Sequence, residues 1–202
     1  QRNKGKVLLV TSVAENEGKS TVAANLALSL ARQGKKVLLI DADLHKASQY
    51  KLFDRKNTPE LSRMLAGAQE MRPEYLEKEQ LYAIFSIRAC AGAAELLSSP
   101  QMHQLLADMR TRMDFIIIDT PGLHLWLKRA LNQAMISQAL STLGDSDCVL
   151  MLVDATQALT KEGEIEEIER GLIDAIAASK KDAILAINKI DLLKDPAQLL
   201  PI

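Results

Sequence analysis

Five residues, Glu17-Gly18-Lys19-Ser20-Thr21, join a short apolar run at 7–10 to an Ala- and Leu-rich stretch of helical spacing at 20–33. A strand that passes through such a loop into a helix is the setting of a P-loop. Backbone N–H groups and the helix N-terminus carry partial positive charge there and can hold phosphate oxygens. On this reading Asn16, Glu17, Gly18, Lys19, Ser20 and Thr21 line a phosphate site. Lys19 reaches the outer phosphates, and the Ser20 hydroxyl ligates Mg²⁺. Val13 stands where the usual pattern has Gly or Ala. Asn16 stands where many such loops have Gly, and Asn tolerates positive φ better than most residues.

Beyond the loop, apolar runs alternate with helix-like stretches. Strands are expected at 7–10, 36–40, 81–87, 115–118, 148–153 and 183–187. Helices are expected at 20–33, 60–66, 100–112, 128–143 and 161–179, with Gly34 and Gly67 closing the first two. This alternation predicts an α/β fold: a mostly parallel sheet with helices on both faces, three layers in one domain spanning 1–202. Ligands of such sheets bind outside the carboxyl ends of the strands. Asp41 and Asp43 follow the second expected strand and Asp119 follows the run at 115–118. All three therefore point toward the phosphate site. There they can hold Mg²⁺ or orient a nucleophile. Lys19, Asp41, Asp43 and Asp119 are the catalytic candidates, and Ser20, Asp43 and Asp119 the metal ligands.

Composition removes other classes. Lys+Arg number 25 against 26 Asp+Glu, so the chain is not a generally basic nucleic-acid binder. Aromatic residues are only 3%, too few for base-stacking modules, and no nucleic-acid partner is expected. No apolar run approaches the roughly 18 residues of a membrane span. Cys90 and Cys148 cannot build a disulfide framework and read as buried thiols of a cytoplasmic protein. The oligomeric state is not legible.

Residues 4–121 resemble the bacterial tyrosine kinases of capsule and exopolysaccharide synthesis. The matching pieces are Thr11-Ser12, Glu17 to Thr21, Val37-Leu38-Leu39-Ile40-Asp41-Ala42-Asp43-Leu44, Glu95-Leu96-Leu97-Ser98-Ser99, and Asp114-Phe115-Ile116-Ile117-Ile118-Asp119-Thr120-Pro121. The resemblance implies ATP, with Asp41, Asp43 and Asp119 around Mg²⁺ and an acceptor tyrosine. It also shows departures. His45 and Ala47 replace that family's usual Arg and Pro, and its C-terminal tyrosine cluster is missing. The tyrosines here are Tyr50, Tyr75 and Tyr82.

Residues 119–202 resemble the Era-like GTPases instead, through Asp119-Thr120-Pro121-Gly122, Val153-Asp154-Ala155-Thr156 and Asn188-Lys189-Ile190-Asp191. This second resemblance implies that Gly122 contacts the nucleotide, that Asn188 braces the loop and touches guanine, that the Lys189 stem covers the base, and that Asp191 accepts its N–H donors. The two resemblances meet near 114–122 and imply a chimera, engineered or recombined, with its crossover there. The function expected from both is Mg²⁺-dependent purine nucleotide binding with weak hydrolysis, GTP slightly favoured over ATP. An ATP-dependent tyrosine kinase of capsule synthesis and a non-enzymatic scaffold that keeps a P-loop are the alternatives.

Overall fold

The computed structural model describes residues 4–12, 14–121, 145–158, 173–174 and 176–195. Gly122 and the helix expected at 128–143 lie outside them. So does most of the helix expected at 161–179, of which 173–174 and 176–178 are helical.

Among the described residues seven strands form one sheet. They are β1 (Lys6–Ser12), β2 (Val37–Asp41), β3 (Glu74–Leu76), β4 (Leu81–Ile84), β5 (Phe115–Asp119), β6 (Cys148–Asp154) and β7 (Asp182–Asn188), in the order β3-β4-β2-β5-β1-β6-β7. Every pairing is parallel except β3 with β4. The sheet runs unbroken from β1 through β6 to β7, so the residues on either side of 119 share one body.

Period-two alternation explains why the central strands read as continuous apolar runs. Val7, Leu9, Leu38, Ile40, Ile116, Ile118, Val149 and Met151 face one layer; Val10, Leu39, Ile117, Leu150 and Leu152 face the other. A strand buried on both faces has no polar face to show. The first layer is closed by α3 (Leu61–Leu65), α4 (Ala93–Leu97) and α5 (Pro100–Arg112), through Leu61, Met64, Met102, Leu105 and Met109. Each such side chain contributes roughly 1.5–3 kcal/mol on burial.

The second layer is covered by α1 (Lys19–Arg32). Its buried stripe is Ala23, Ala27 and Ala31, four residues apart on one face. With only methyl groups between them, helix and sheet approach closely. This fixes the N-terminus of α1 over the carboxyl ends of β1 and β5. α5 starts behind Ser99, whose hydroxyl accepts from the Met102 N–H at 3.3 Å, and Pro100 sits in its first turn.

Sequence patterning missed β3, α2 (Gln49–Leu52) and α4, because three to five residues are too few to show a period. The cysteines are a correction. Both are half-buried rather than core: Cys148 opens β6 at its margin, and Cys90 lies in the loop before α4. No described helix is long and apolar enough to cross a membrane.

Far from the strand ends that carry the acids, Arg110 staples the sheet. It donates to Asp147 at 2.8 Å and to the Gly5 carbonyl at 3.0 Å, while Asp147 also accepts from the Val7 N–H at 2.7 Å. Gly5 is buried here, and a Cβ on it would meet the Met113 carbonyl oxygen at 2.3 Å. Gly5→Ala is therefore expected to destabilise by about 1–3 kcal/mol, since backbone rather than a mobile side chain must give way. Urea unfolding should show a lower midpoint with an unchanged slope.

Candidate functional site

β1, β5 and β2 are parallel, so Ser12, Asp119 and Asp41 leave the sheet along one edge. Asp119 pairs in register with both Val10 and Asp41. The loop after β1 climbs over this edge. Asn16 has φ 63°, the left-handed region that Asn enters most readily, and Gly18 has φ 94°. A Cβ on Gly18 would also stand 2.4 Å from the Asn188 Nδ2, so that side chain would have to shift.

The loop is braced from behind. Glu17 is only 4% exposed. Its carboxylate accepts from the Ala14 N–H at 2.9 Å and the Asp154 N–H at 3.4 Å. Its backbone carbonyl accepts from Asn188 at 2.8 Å. Asp154 in turn pairs with Lys189 at 2.7 Å and accepts from the Thr156 hydroxyl. Glu17 was expected among the phosphate contacts by position. The structure turns its side chain inward, where it braces the loop and leaves the backbone N–H as the group that can meet phosphate.

Lys19 is buried at the foot of the loop. Its ammonium donates to the Ser12 hydroxyl at 2.8 Å and the Ala14 carbonyl at 3.1 Å. Burial lowers its pKa; Asp119, Glu17, Asp43 and Glu15 oppose the shift. Asn16, Gly18, Lys19, Ser20, Thr21, Asp43 and Lys46 line an open cleft of about 370 Å³. An exposed Lys46–Glu15 pair at 2.8 Å stands at this cleft.

The three aspartates are not equivalent. Asp41 is fully buried, and both its oxygens accept backbone N–H groups, from Asp43 at 3.2 Å and Gln49 at 3.1 Å. Burial, then the neighbouring Asp119, raise its pKa well above the carboxylate range. Asp43 is half-buried beside the cleft, and one of its oxygens closes the turn by accepting from the His45 and Lys46 N–H groups. Asp119 is fully buried. Its Oδ2 accepts from Gln49 at 2.7 Å, while its Oδ1 has no hydrogen-bond partner. Burial pushes its pKa up to about 6, against the Gln49 amide and the nearby Ser20 hydroxyl, which favour the charged form.

Asn188 and Lys189 reach this site from the end of β7, but as braces: one holds Glu17, the other Asp154. Asp191 lies exposed in the short turn Ile190–Leu192. The Lys189 ammonium is thus engaged with Asp154 in this structure. Two residues were given no site role by the sequence reading, Asp154 appearing there only within a matching motif. Asp154 is another strand-end acid, visible to the rule that found Asp41 and Asp119. Gln49 sits in a polar stretch and carries no pattern at all.

A family model described as an AAA domain matches residues 6–182. The tyrosine-protein kinase YwqD of Bacillus subtilis is 41% identical over 118 residues, 57% of this chain and 50% of that protein. The tyrosine-protein kinase CpsD of Streptococcus pneumoniae is 33% identical over 132 residues, 64% of this chain and 58% of that one. The chain thus spans about half the length of these curated relatives. Among solved structures, the VpsO kinase domain aligns over 91% of this chain and 83% of its own, with TM-score 0.74 and 29% identity. The family match passes without a break through 114–122. Neither the crossover expected there nor a GTPase-like second part finds support.

The raised Asp119 pKa carries a sign. The carboxyl holds its proton more tightly folded than unfolded, so stability falls as pH rises from 3.8 to about 6. Without metal or nucleotide, Asp119→Asn should be more stable than the parent at pH 8, by roughly 2–6 °C in Tm. The gain should shrink as the pH is lowered through that window, which calorimetry at pH 8, 6 and 4 can follow. Glu17→Ala should weaken nucleotide binding roughly tenfold by loosening the loop; titration with a fluorescent nucleotide reads this.

Proposed function

This chain belongs to the AAA domain family, and we propose that it is the catalytic part of an ATP-dependent protein-tyrosine kinase of capsule or exopolysaccharide synthesis. The observation that carries the proposal is the convergence of the Lys19 loop, Ser20, Asp43 and Asp119 on one sheet edge. The likeness to YwqD, CpsD and the VpsO kinase domain supports it. The guanine reading of Asn188, Lys189 and Asp191 is not kept, because the first two side chains are spent inside the protein. The chimera and bare-scaffold readings lose their basis with the crossover.

Loop N–H groups from Asn16 to Thr21 bind the triphosphate. Lys19 exchanges its Ser12 and Ala14 partners for phosphate oxygens and neutralises charge as the phosphoryl group moves. Mg²⁺ fits the residues present: Asp119 Oδ1 is a buried anionic oxygen without a donor, and Ser20 is its neighbour. Ser20 and Asp119 would hold the ion, which when bound screens the phosphate charge. Asp43 is the carboxylate open to the cleft and takes the acceptor's phenolic proton. Asp41, with both oxygens occupied by backbone N–H groups, shapes the loop that presents Asp43.

The test is transfer of the ATP γ-phosphoryl group to a Glu/Tyr copolymer, followed as acid-stable phosphotyrosine. Transfer should require Mg²⁺, prefer ATP to GTP, and fall roughly 100-fold or more in Lys19→Ala. Phosphate released to water alone, or a preference for GTP, would overturn the proposal.

A further inference from the structure

Gln49 touches three parts of the site at once. It opens α2 and is fully buried. Its backbone N–H donates to Asp41 Oδ2 at 3.1 Å. Its side-chain Nε2 donates to Asp119 Oδ2 at 2.7 Å and to the Ser20 carbonyl at 2.9 Å. Both partners of Nε2 are acceptors, so the reversed amide would set oxygen against oxygen at two short contacts. The amide therefore has one orientation, and both of its N–H bonds are used.

The consequence falls on Asp119. Its Oδ2 is occupied, while Oδ1 is buried with no donor. An anionic oxygen left in that condition is costly unless a cation or cation-bound water meets it. The same amide holds the carbonyl of Ser20, the residue whose hydroxyl completes the pair. The Gln49 backbone N–H, separately, ties the turn that carries Asp43, since Asp41 accepts from both the Asp43 and Gln49 backbone N–H groups.

We propose that Gln49 is the positioning residue of a divalent-cation site: it anchors Asp119 Oδ2 to the Ser20 turn and so leaves Oδ1 as the oxygen offered to the ion. This rests on the reading of the site as one for a metal–nucleotide complex. Gln49 itself touches neither ion nor nucleotide. Its effect is on which carboxylate oxygen faces the ion and on how little that carboxylate moves.

The experiment uses the full chain, ADP and Mn²⁺ as a paramagnetic probe. Gln49→Leu and Gln49→Met remove the donors and keep much of the volume. Electron paramagnetic resonance gives Mn²⁺ affinity with ADP present, and a fluorescent ADP analogue in chelator gives metal-free affinity. In folded variants Mn²⁺ affinity should fall roughly 10–100-fold, with metal-free ADP affinity held within about twofold. Unchanged Mn²⁺ affinity, or an equal loss of metal-free binding, overturns the proposal. A crystal structure of the parent with Mn²⁺ and ADP decides it without any variant: Oδ1 on the ion, directly or through one water, with Oδ2 still on Gln49, supports it, and Oδ2 on the ion overturns it. A parent that binds no ADP overturns both this and the kinase reading. A parent that binds Mn²⁺ and ADP but transfers nothing to tyrosine overturns only the latter.

Discussion

Two carboxylates side by side in the buried interior dominate this molecule. Asp41 and Asp119 are register partners on adjacent strands, and neither has any exposed surface. Like charges so placed would repel strongly and lose their hydration, and both carboxyls therefore hold their protons more tightly than usual. The fold answers with donors rather than distance: two backbone N–H groups on Asp41, the Gln49 amide on Asp119, and the Lys19 ammonium close by. The answer is incomplete, since one oxygen of Asp119 is left over. An apolar pair at these positions would suit the sheet better, so the acids are not there for stability. Their cost is local strain of an electrostatic kind, stored where a cation can release it.

The remainder of the architecture keeps that edge in place. Parallel pairing brings the ends of β2, β5, β1 and β6 to the same side. The alanine stripe lets α1 lie close enough for its first turn to stand over them. Behind the loop, the chain Asn188–Glu17–Asp154–Lys189 forms a second, satisfied polar network. The two networks have opposite characters. The rear one is closed and rigidifies; the front one is open by one oxygen.

Much of this was legible in the sequence for definite reasons. Strands buried on both faces are runs of Val, Leu and Ile, and a strand-end Asp interrupts such a run visibly. Gly18 and Asn16 announce left-handed backbone. Ser99 and Pro100 announce a helix start. What failed to show was set by tertiary placement. A glutamine in a polar stretch looks like surface, yet Gln49 lies in the interior because its partners come from β5 and α1. The tetrapeptide Asn188-Lys189-Ile190-Asp191 was visible as a loop after a strand, but no local pattern says what its side chains face. Glu17 had the right position in the motif and a side chain pointing the other way. Family likeness of the second part was the least legible of all, since short strand-end motifs recur among relatives of one fold.

The bond from Asn188 to the Glu17 carbonyl joins residues 171 positions apart. A growing chain emerges from its N-terminus, so the phosphate loop is made before its brace. β1, β2 and β5 can pair before β7 exists, but the loop above them then lacks Asn188 at its back, and Asp154 lacks Lys189. A fragment that stops before β7 would own every motif residue of the first strand and helix and still lack the bond that holds the loop from behind.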